Sequence, residues 1–92
     1  MFPKVSIVVP VYNVKNYIEK CINSLINQDS FEDFEVIIVN DGSTDDSIKK
    51  ITPLIQKYNN IILLNKTNGG VGQARNAGLE KARGEYVIFV DS

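Results

Sequence analysis

The chain has 92 residues, 43% of them hydrophobic, which suits one small domain with a buried core. Ten lysine and arginine residues nearly balance eleven acidic residues, and the net charge of −1 gives no reason to expect nucleic acid or an anionic membrane as partner. The lack of histidine excludes histidine bases and histidine-ligated metals within the chain. No signal peptide and no apolar run of membrane-spanning length are evident, so we expect a cytoplasmic protein without a membrane segment.

Strand and helix patterns alternate along the chain in the order β-α-β-α-β-α-β. Four runs rich in β-branched residues predict buried strands: KVSIVVPV, FEVIIVN, NIILLN and EYVIFV. Apolar or small residues at helical spacing predict a helix in each of the three intervals between them. Pro53 falls within the second helix and is expected to kink or split it, because proline removes a backbone donor and clashes one turn back.

This alternation predicts a three-layer α/β fold with a parallel sheet and right-handed crossovers. We expect the strand order 3-2-1-4, with the first two helices on one face and the third helix on the other. Ligands of such sheets bind beyond the strand carboxyl ends, where the strand order reverses. That rule points to Pro10, Val11, Tyr12 and Asn13 after strand 1 and to Asp91 after strand 4, with Asp41 after strand 2 beside them.

Three familiar α/β chemistries do not fit this edge of the sheet. A dinucleotide-binding domain needs glycines in its first turn, but that turn reads PVYNVKN, and the later GGVGQAR lacks the third glycine. No Gly-Lys-Ser/Thr ending of a phosphate-binding loop is present. A receiver-like phosphoacceptor would have an acid at the end of strand 1, where Pro10 stands.

The remaining side chains suit a nucleotide diphosphate. The Tyr12 ring offers a face for stacking a base, and Asp41 offers an acceptor for an imide or hydroxyl donor. Arg75, early in the third helix, could meet a phosphate, and Asp91 could bind a ribose hydroxyl or a divalent metal.

Each of these residues also has an interpretation without a ligand. Tyr12 could cover the sheet edge, and Asp41 with Gly42 could serve only as a turn. Arg75 could be a solvated helix residue, Asp91 could simply terminate a strand, and Asn13 is best interpreted as a turn former. From the residues alone, both interpretations stay open.

Four motifs in one register resemble the N-terminal half of family 2 glycosyltransferases with the GT-A fold. They are PVYN, DGSTD, ARNAG and the terminal VDS, within segments that cover essentially the whole chain, residues 1–92. The resemblance implies transfer of a sugar from a nucleotide diphosphate sugar, with UDP as the expected nucleotide, to an acceptor hydroxyl with the help of Mg²⁺ or Mn²⁺. It implies a Rossmann-like, nucleotide-binding subdomain here.

The resemblance also implies roles for five residues. Tyr12 matches the tyrosine that packs on the base, and Pro10 lies beside it where backbone contacts to the nucleoside are common. Asp41 matches the acid that reads the base, and Arg75 matches the basic residue near the base and diphosphate. Asp91 matches the first acid of the Asp-X-Asp motif, which holds the ribose and the metal shell.

The chain departs from the family pattern where it stops. The second acid of Asp-X-Asp and the acceptor half with its catalytic base would follow Ser92, so we expect these 92 residues to be inactive by themselves. A stand-alone nucleotide-binding or interaction module without catalysis is the alternative. Strand 4 would be left as an open apolar edge, which predicts a dimer or higher oligomer.

Overall fold

The computed structural model describes residues 2–91, which form one four-stranded parallel sheet between two helical layers. Strand order across the sheet is β3-β2-β1-β4, as the alternating pattern predicts. The strands are β1 (Val5–Val11), β2 (Phe34–Asp41), β3 (Ile61–Lys66) and β4 (Tyr86–Phe89). The helices are α1 (Ile18–Ile26), α2 (Ser47–Lys57) and α3 (Val71–Lys81), and a 3₁₀ turn at Phe31–Asp33, which the sequence did not predict, leads into β2.

Buried β-branched residues form the centre of the sheet. The run Val36–Val39 of β2 is fully buried, because helices cover both faces of this strand. Ile18 and Ile22 of α1 and Ile51 of α2 pack on one face, where most of the apolar core lies. Ala74 of α3 packs on the opposite face. The predicted division of the helices between the two faces is therefore confirmed.

Helix α3 lies close to the sheet because its contact surface is made of small residues. A Cβ atom built on Gly78 would lie 2.3 Å from Val8 Cγ1 and 3.2 Å from Val39 Cγ2. Neither valine can move aside easily, since both are fully buried in the middle of the sheet. The glycine therefore sets the distance between α3 and the strands.

Helix α2 contains Pro53 in its interior. Pro53 does not split the helix, which continues from Ser47 to Lys57. That helix begins at Ser47, and Asp45 Oδ1 accepts a 2.9 Å hydrogen bond from the Ser47 N–H. Between residues 2 and 91, no helix is long and apolar enough to cross a membrane.

Strand β4 is an edge strand, as expected. It pairs in parallel with β1 over four residues, from Val5 opposite Tyr86 to Val8 opposite Phe89. Tyr86, Ile88 and Phe89 each expose more than two fifths of their surface. The strand delivers Asp91 next to the end of β1, where the strand order reverses.

Candidate functional site

A cleft of about 530 Å³ opens at the carboxyl ends of the strands, between β1, β4 and the start of α3. Four of the five predicted site residues line it: Pro10, Tyr12, Asp41 and Asp91. Val11, to which the same rule points, lines it as well. Residues that the sequence did not single out complete the wall: Val14, Asn68, Gly70, Val71 and Ala74. The parallel sheet brings these side chains together because each lies at or beyond the carboxyl end of a strand or in the first turn of α3.

Tyr12 presents its ring at this cleft with half of its surface exposed. Its position follows from the sharp turn after β1, in which Asn13 adopts a left-handed backbone with φ of 52°. The Asn13 Oδ1 accepts hydrogen bonds from the N–H groups of Thr44 (2.8 Å) and Asp45 (3.2 Å). Asn13 is thus a turn former, as interpreted from the sequence, and it ties the loop after β1 to the loop after β2.

Asp41 is the most buried acid of the cleft, with a side chain 4% exposed. The Lys66 ammonium donates to Oδ1 at 2.9 Å, and the N–H groups of Gly69 and Gly70 donate to Oδ1 and Oδ2 at 3.0 Å each. Burial raises the pKa of the Asp41 carboxyl, but these donors outweigh burial and hold its pKa below the ordinary value. Asp41 is therefore an ionised acceptor at neutral pH.

The loop before α3 is shaped to meet Asp41. Gly70 has a φ of 95°, which L-residues with side chains rarely adopt, and this conformation turns its N–H toward the carboxylate. Asn68 reinforces the contact, because its Nδ2 donates to the Asp41 carbonyl at 3.0 Å. In the sequence, the two adjacent glycines of NKTNGG, directly before a helix, are the signal for this function.

Arg75 and Asp91 meet at the mouth of the cleft. Arg75 Nη2 donates to Asp91 Oδ1 at 3.2 Å, and the guanidinium carbon lies 6.0 Å from the centre of the Phe89 ring. Arg75 is not among the residues that line the cleft, although Ala74 beside it is. Its Nε is buried without a hydrogen-bond partner among the described residues.

The metal-ligating capacity of the described chain is small. Within residues 2–91, no group of three or more histidine, cysteine, aspartate or glutamate side chains could hold a metal ion. Asp91 offers one exposed carboxylate, with 80% of its side chain accessible. Since Mg²⁺ is usually held by one or two carboxylates together with substrate phosphates, Asp91 fits a partial site of this kind.

A second polar cluster, which no sequence pattern indicates, lies at the opposite end of the sheet. The Glu35 carboxylate is 2% exposed and accepts hydrogen bonds from Ser6 Oγ (2.7 Å), the Arg83 N–H (2.9 Å) and Arg83 Nε (3.0 Å). Ser6 Oγ in turn accepts from the Gly84 N–H at 2.8 Å. This cluster fixes the turn between α3 and β4, and thereby the path of the strand that delivers Asp91.

Known proteins are similar to this chain in sequence and in fold. The chain is 45% identical over 92 residues to the poly(ribitol-phosphate) beta-glucosyltransferase of Bacillus spizizenii, and it covers 14% of that enzyme. The structure of S. aureus TarS 1-349 in complex with UDP superposes with a TM-score of 0.88 at 42% identity, over 97% of this chain and 27% of the TarS 1-349 chain. The Pyrobaculum calidifontis mannosyltransferase PcManGT, in complex with GDP-Man and Mn²⁺, superposes with a TM-score of 0.88 at 28% identity, over 99% of this chain and 28% of that one.

These similarities agree with the predicted fold, because the four-stranded sheet of order 3-2-1-4 matches the N-terminal GT-A region of TarS. The chain spans well under half the length of the relatives it matches. Residues 6–92 match the sequence profile described as Glycosyl transferase family 2. The chain therefore belongs to glycosyltransferase family 2.

Proposed function

We propose that these residues form the donor-nucleotide site of a transferase that moves a sugar from a UDP-sugar to an acceptor hydroxyl. The proposal rests on one observation: Tyr12, Asp41 and Asp91 line the same cleft, which lies where the strand order reverses. TarS, at 42% identity, has been crystallised with UDP and with UDP-GlcNAc. The proposal extends that nucleotide class to this chain.

In this proposal each side chain meets one part of the nucleotide. The exposed Tyr12 ring stacks on the base, while the ionised Asp41 accepts a hydrogen bond from the base edge. Pro10 borders the nucleoside from the end of β1. Arg75 binds the diphosphate, which suits a guanidinium placed early in a helix whose positive end opens toward the cleft.

In the proposed site, Asp91 binds both the ribose and a divalent metal. Its carboxylate is the exposed hard oxygen ligand of the cleft, and Mg²⁺ or Mn²⁺ would share it with the diphosphate. A metal bound there would neutralise charge on the departing diphosphate. In the structure, Arg75 supplies the cation next to Asp91.

We further propose that the 92 residues alone bind nucleotide without transferring sugar. A general base must be free to take a proton from the acceptor hydroxyl. Of the carboxylates that line the cleft, Asp41 is bonded to Lys66 and two backbone amides, and Asp91 is paired with Arg75. Turnover of UDP-sugars by this chain, compared with turnover by a longer protein that contains it, tests the point; turnover by the 92 residues alone would contradict it.

Isothermal calorimetry with UDP and UDP-GlcNAc, with and without Mn²⁺, tests the binding proposal. Tyr12→Ala should weaken UDP binding by roughly tenfold or more, since stacking of one base contributes about 1–3 kcal/mol. Tyr86→Ala is the matched control, because it removes the same ring from an exposed site at the far end of the sheet. Absence of UDP binding, or equal effects of the two variants, would contradict the proposed function.

A further inference from the structure

The two carboxylate oxygens of Asp41 are occupied unequally. Oδ1 accepts two hydrogen bonds, from Lys66 Nζ at 2.9 Å and from the Gly69 N–H at 3.0 Å. Oδ2 accepts one hydrogen bond from within residues 2–91, from the Gly70 N–H at 3.0 Å. Since each carboxylate oxygen has about two lone-pair positions, Oδ1 is saturated and Oδ2 keeps one acceptor position. Asp41 therefore offers a ligand in the cleft a single acceptor.

Lys66 creates most of this asymmetry and is held firmly in place. It lies directly opposite Asp41 in the register between β2 and β3, at the last paired position of both strands. Its Nζ also donates to the Thr67 carbonyl at 2.6 Å, and only 23% of its side chain is exposed. Lys66 does not line the cleft, so it acts on a ligand through Asp41 rather than by contact.

A single acceptor distinguishes between nucleobases. Uracil presents one N–H donor, at N3, between two carbonyl acceptors, so one carboxylate oxygen satisfies it. Guanine presents two adjacent donors, N1–H and the exocyclic amine, and a carboxylate pairs with both only if both of its oxygens are available. A donor left facing a saturated oxygen loses its hydrogen bond with water without gaining another, which disfavours binding.

We infer that Lys66 is a positioning residue for base specificity: by occupying Oδ1 it restricts Asp41 to one acceptor and makes the cleft select uracil over guanine. The inference rests on the proposed function, since it concerns the base of the nucleotide bound there. It deepens that proposal by assigning the choice of base to a side chain that does not line the cleft.

The experiment compares the dissociation constants of UDP and GDP, both with Mn²⁺, for the chain and for Lys66→Met and Lys66→Ser. The unaltered chain should prefer UDP by about tenfold or more, in the range that a lost hydrogen-bond pair brings. Both substitutions should reduce that preference by on the order of tenfold, mainly through tighter GDP binding. Lys81→Met, which removes an exposed lysine at the other end of α3, should leave the ratio unchanged.

Thermal melting identifies which of the two Lys66 variants keeps the fold, and the ratio is read from that one. An unchanged ratio of the two dissociation constants would overturn the inference, whether both affinities stay the same or both fall equally. Equal losses would indicate a merely structural lysine. Both results leave the proposed function standing, provided that UDP binding depends on Tyr12. If the unaltered chain binds neither nucleotide, the proposed function and this inference are overturned together.

Discussion

Arg75 and Asp91 form an ion pair with 3.2 Å between Nη2 and Oδ1, joining α3 to the segment after β4. Their side chains are 42% and 80% exposed, so solvent screens the attraction and the pair contributes little to stability. Asp91 thus faces a cation supplied by α3, and in the proposed function a divalent metal would take that cation's place.

Substitution of either member of this pair should therefore affect nucleotide binding more than folding. Arg75→Gln and Asp91→Asn are expected to weaken UDP binding in the presence of Mn²⁺ by roughly tenfold, since charge-assisted hydrogen bonds contribute about 1.5–3 kcal/mol. Their free energies of unfolding should change by less than about 1 kcal/mol. Calorimetry and urea denaturation measure the two quantities, and Lys81→Gln serves as the control for loss of one charge on α3. A large loss of stability with unchanged affinity would contradict the expectation.

Gly78→Ala should destabilise the fold by about 1–3 kcal/mol, because the added methyl group would overlap Val8 and force α3 away from the sheet. Gly72→Ala is a matched control in the same helix, since a Cβ atom at Gly72 would meet nothing within 4 Å. That control should be neutral or stabilise by up to about 1 kcal/mol, because alanine is the better helix former. The midpoint of urea unfolding distinguishes them, and equal midpoints would show that α3 can shift freely on the sheet.

Acid should destabilise the protein through its two buried carboxylates. Burial raises the pKa of Glu35, but hydrogen bonds from Ser6 and Arg83 outweigh it, so the pKa of Glu35, like that of Asp41, lies below its ordinary value. Because both pKa values are lower in the folded protein, the unfolded chain binds protons more readily than the folded chain does. The stabilisation is thus complete above the unfolded pKa, about 4, and is lost as pH falls through the folded pKa.

Glu35→Gln provides the measurement for this pH dependence. At neutral pH the variant should be less stable by about 1–3 kcal/mol, because it replaces charge-assisted hydrogen bonds with weaker ones. Its free energy of unfolding should then decline less steeply than that of the unaltered protein below about pH 4. Parallel declines for the two proteins would assign the acid sensitivity to other groups.

We expect chains of these 92 residues to associate through β4. Tyr86, Ile88 and Phe89 expose 57%, 49% and 43% of their surface on a strand that, among the described residues, pairs on one side with β1. An exposed apolar edge of this kind favours pairing between chains. Ile88→Lys should shift the species seen by light scattering toward the monomer, whereas Lys81→Gln should not. A monomer at high concentration before substitution would contradict the expectation.

Much of this architecture can be predicted from local sequence patterns. The β-branched runs and the helical spacing predicted the strand order, the faces covered by the helices and the edge position of β4, because each follows from rules about neighbouring elements. Tyr12, Asp41 and Asp91 could be placed together because each ends or follows a strand. The same reasoning does not say where α2 begins, because the geometry of the preceding loop decides it through Asp45.

The contacts that the sequence could not reveal connect residues far apart along the chain. Lys66 reaches Asp41 across 25 positions, and Arg83 reaches Glu35 across 48. Their partners depend on the register between strands, which no local pattern specifies. Glu35 near the start of β2 is among the most buried side chains of the described residues, although it carries a charge.

Both buried acids belong to β2, and between them they hold the two ends of α3. Asp41 binds the amides of Gly69 and Gly70 before the helix, and Glu35 binds the Arg83 amide after it. The acids lie about 20 Å apart along an extended strand, whereas the helix itself spans about 16 Å. One inserted residue would lengthen α3 by about 1.5 Å and rotate everything beyond it by about 100°, releasing one end. The distance between the two buried acids of β2 thus limits the length of α3, the helix that covers it.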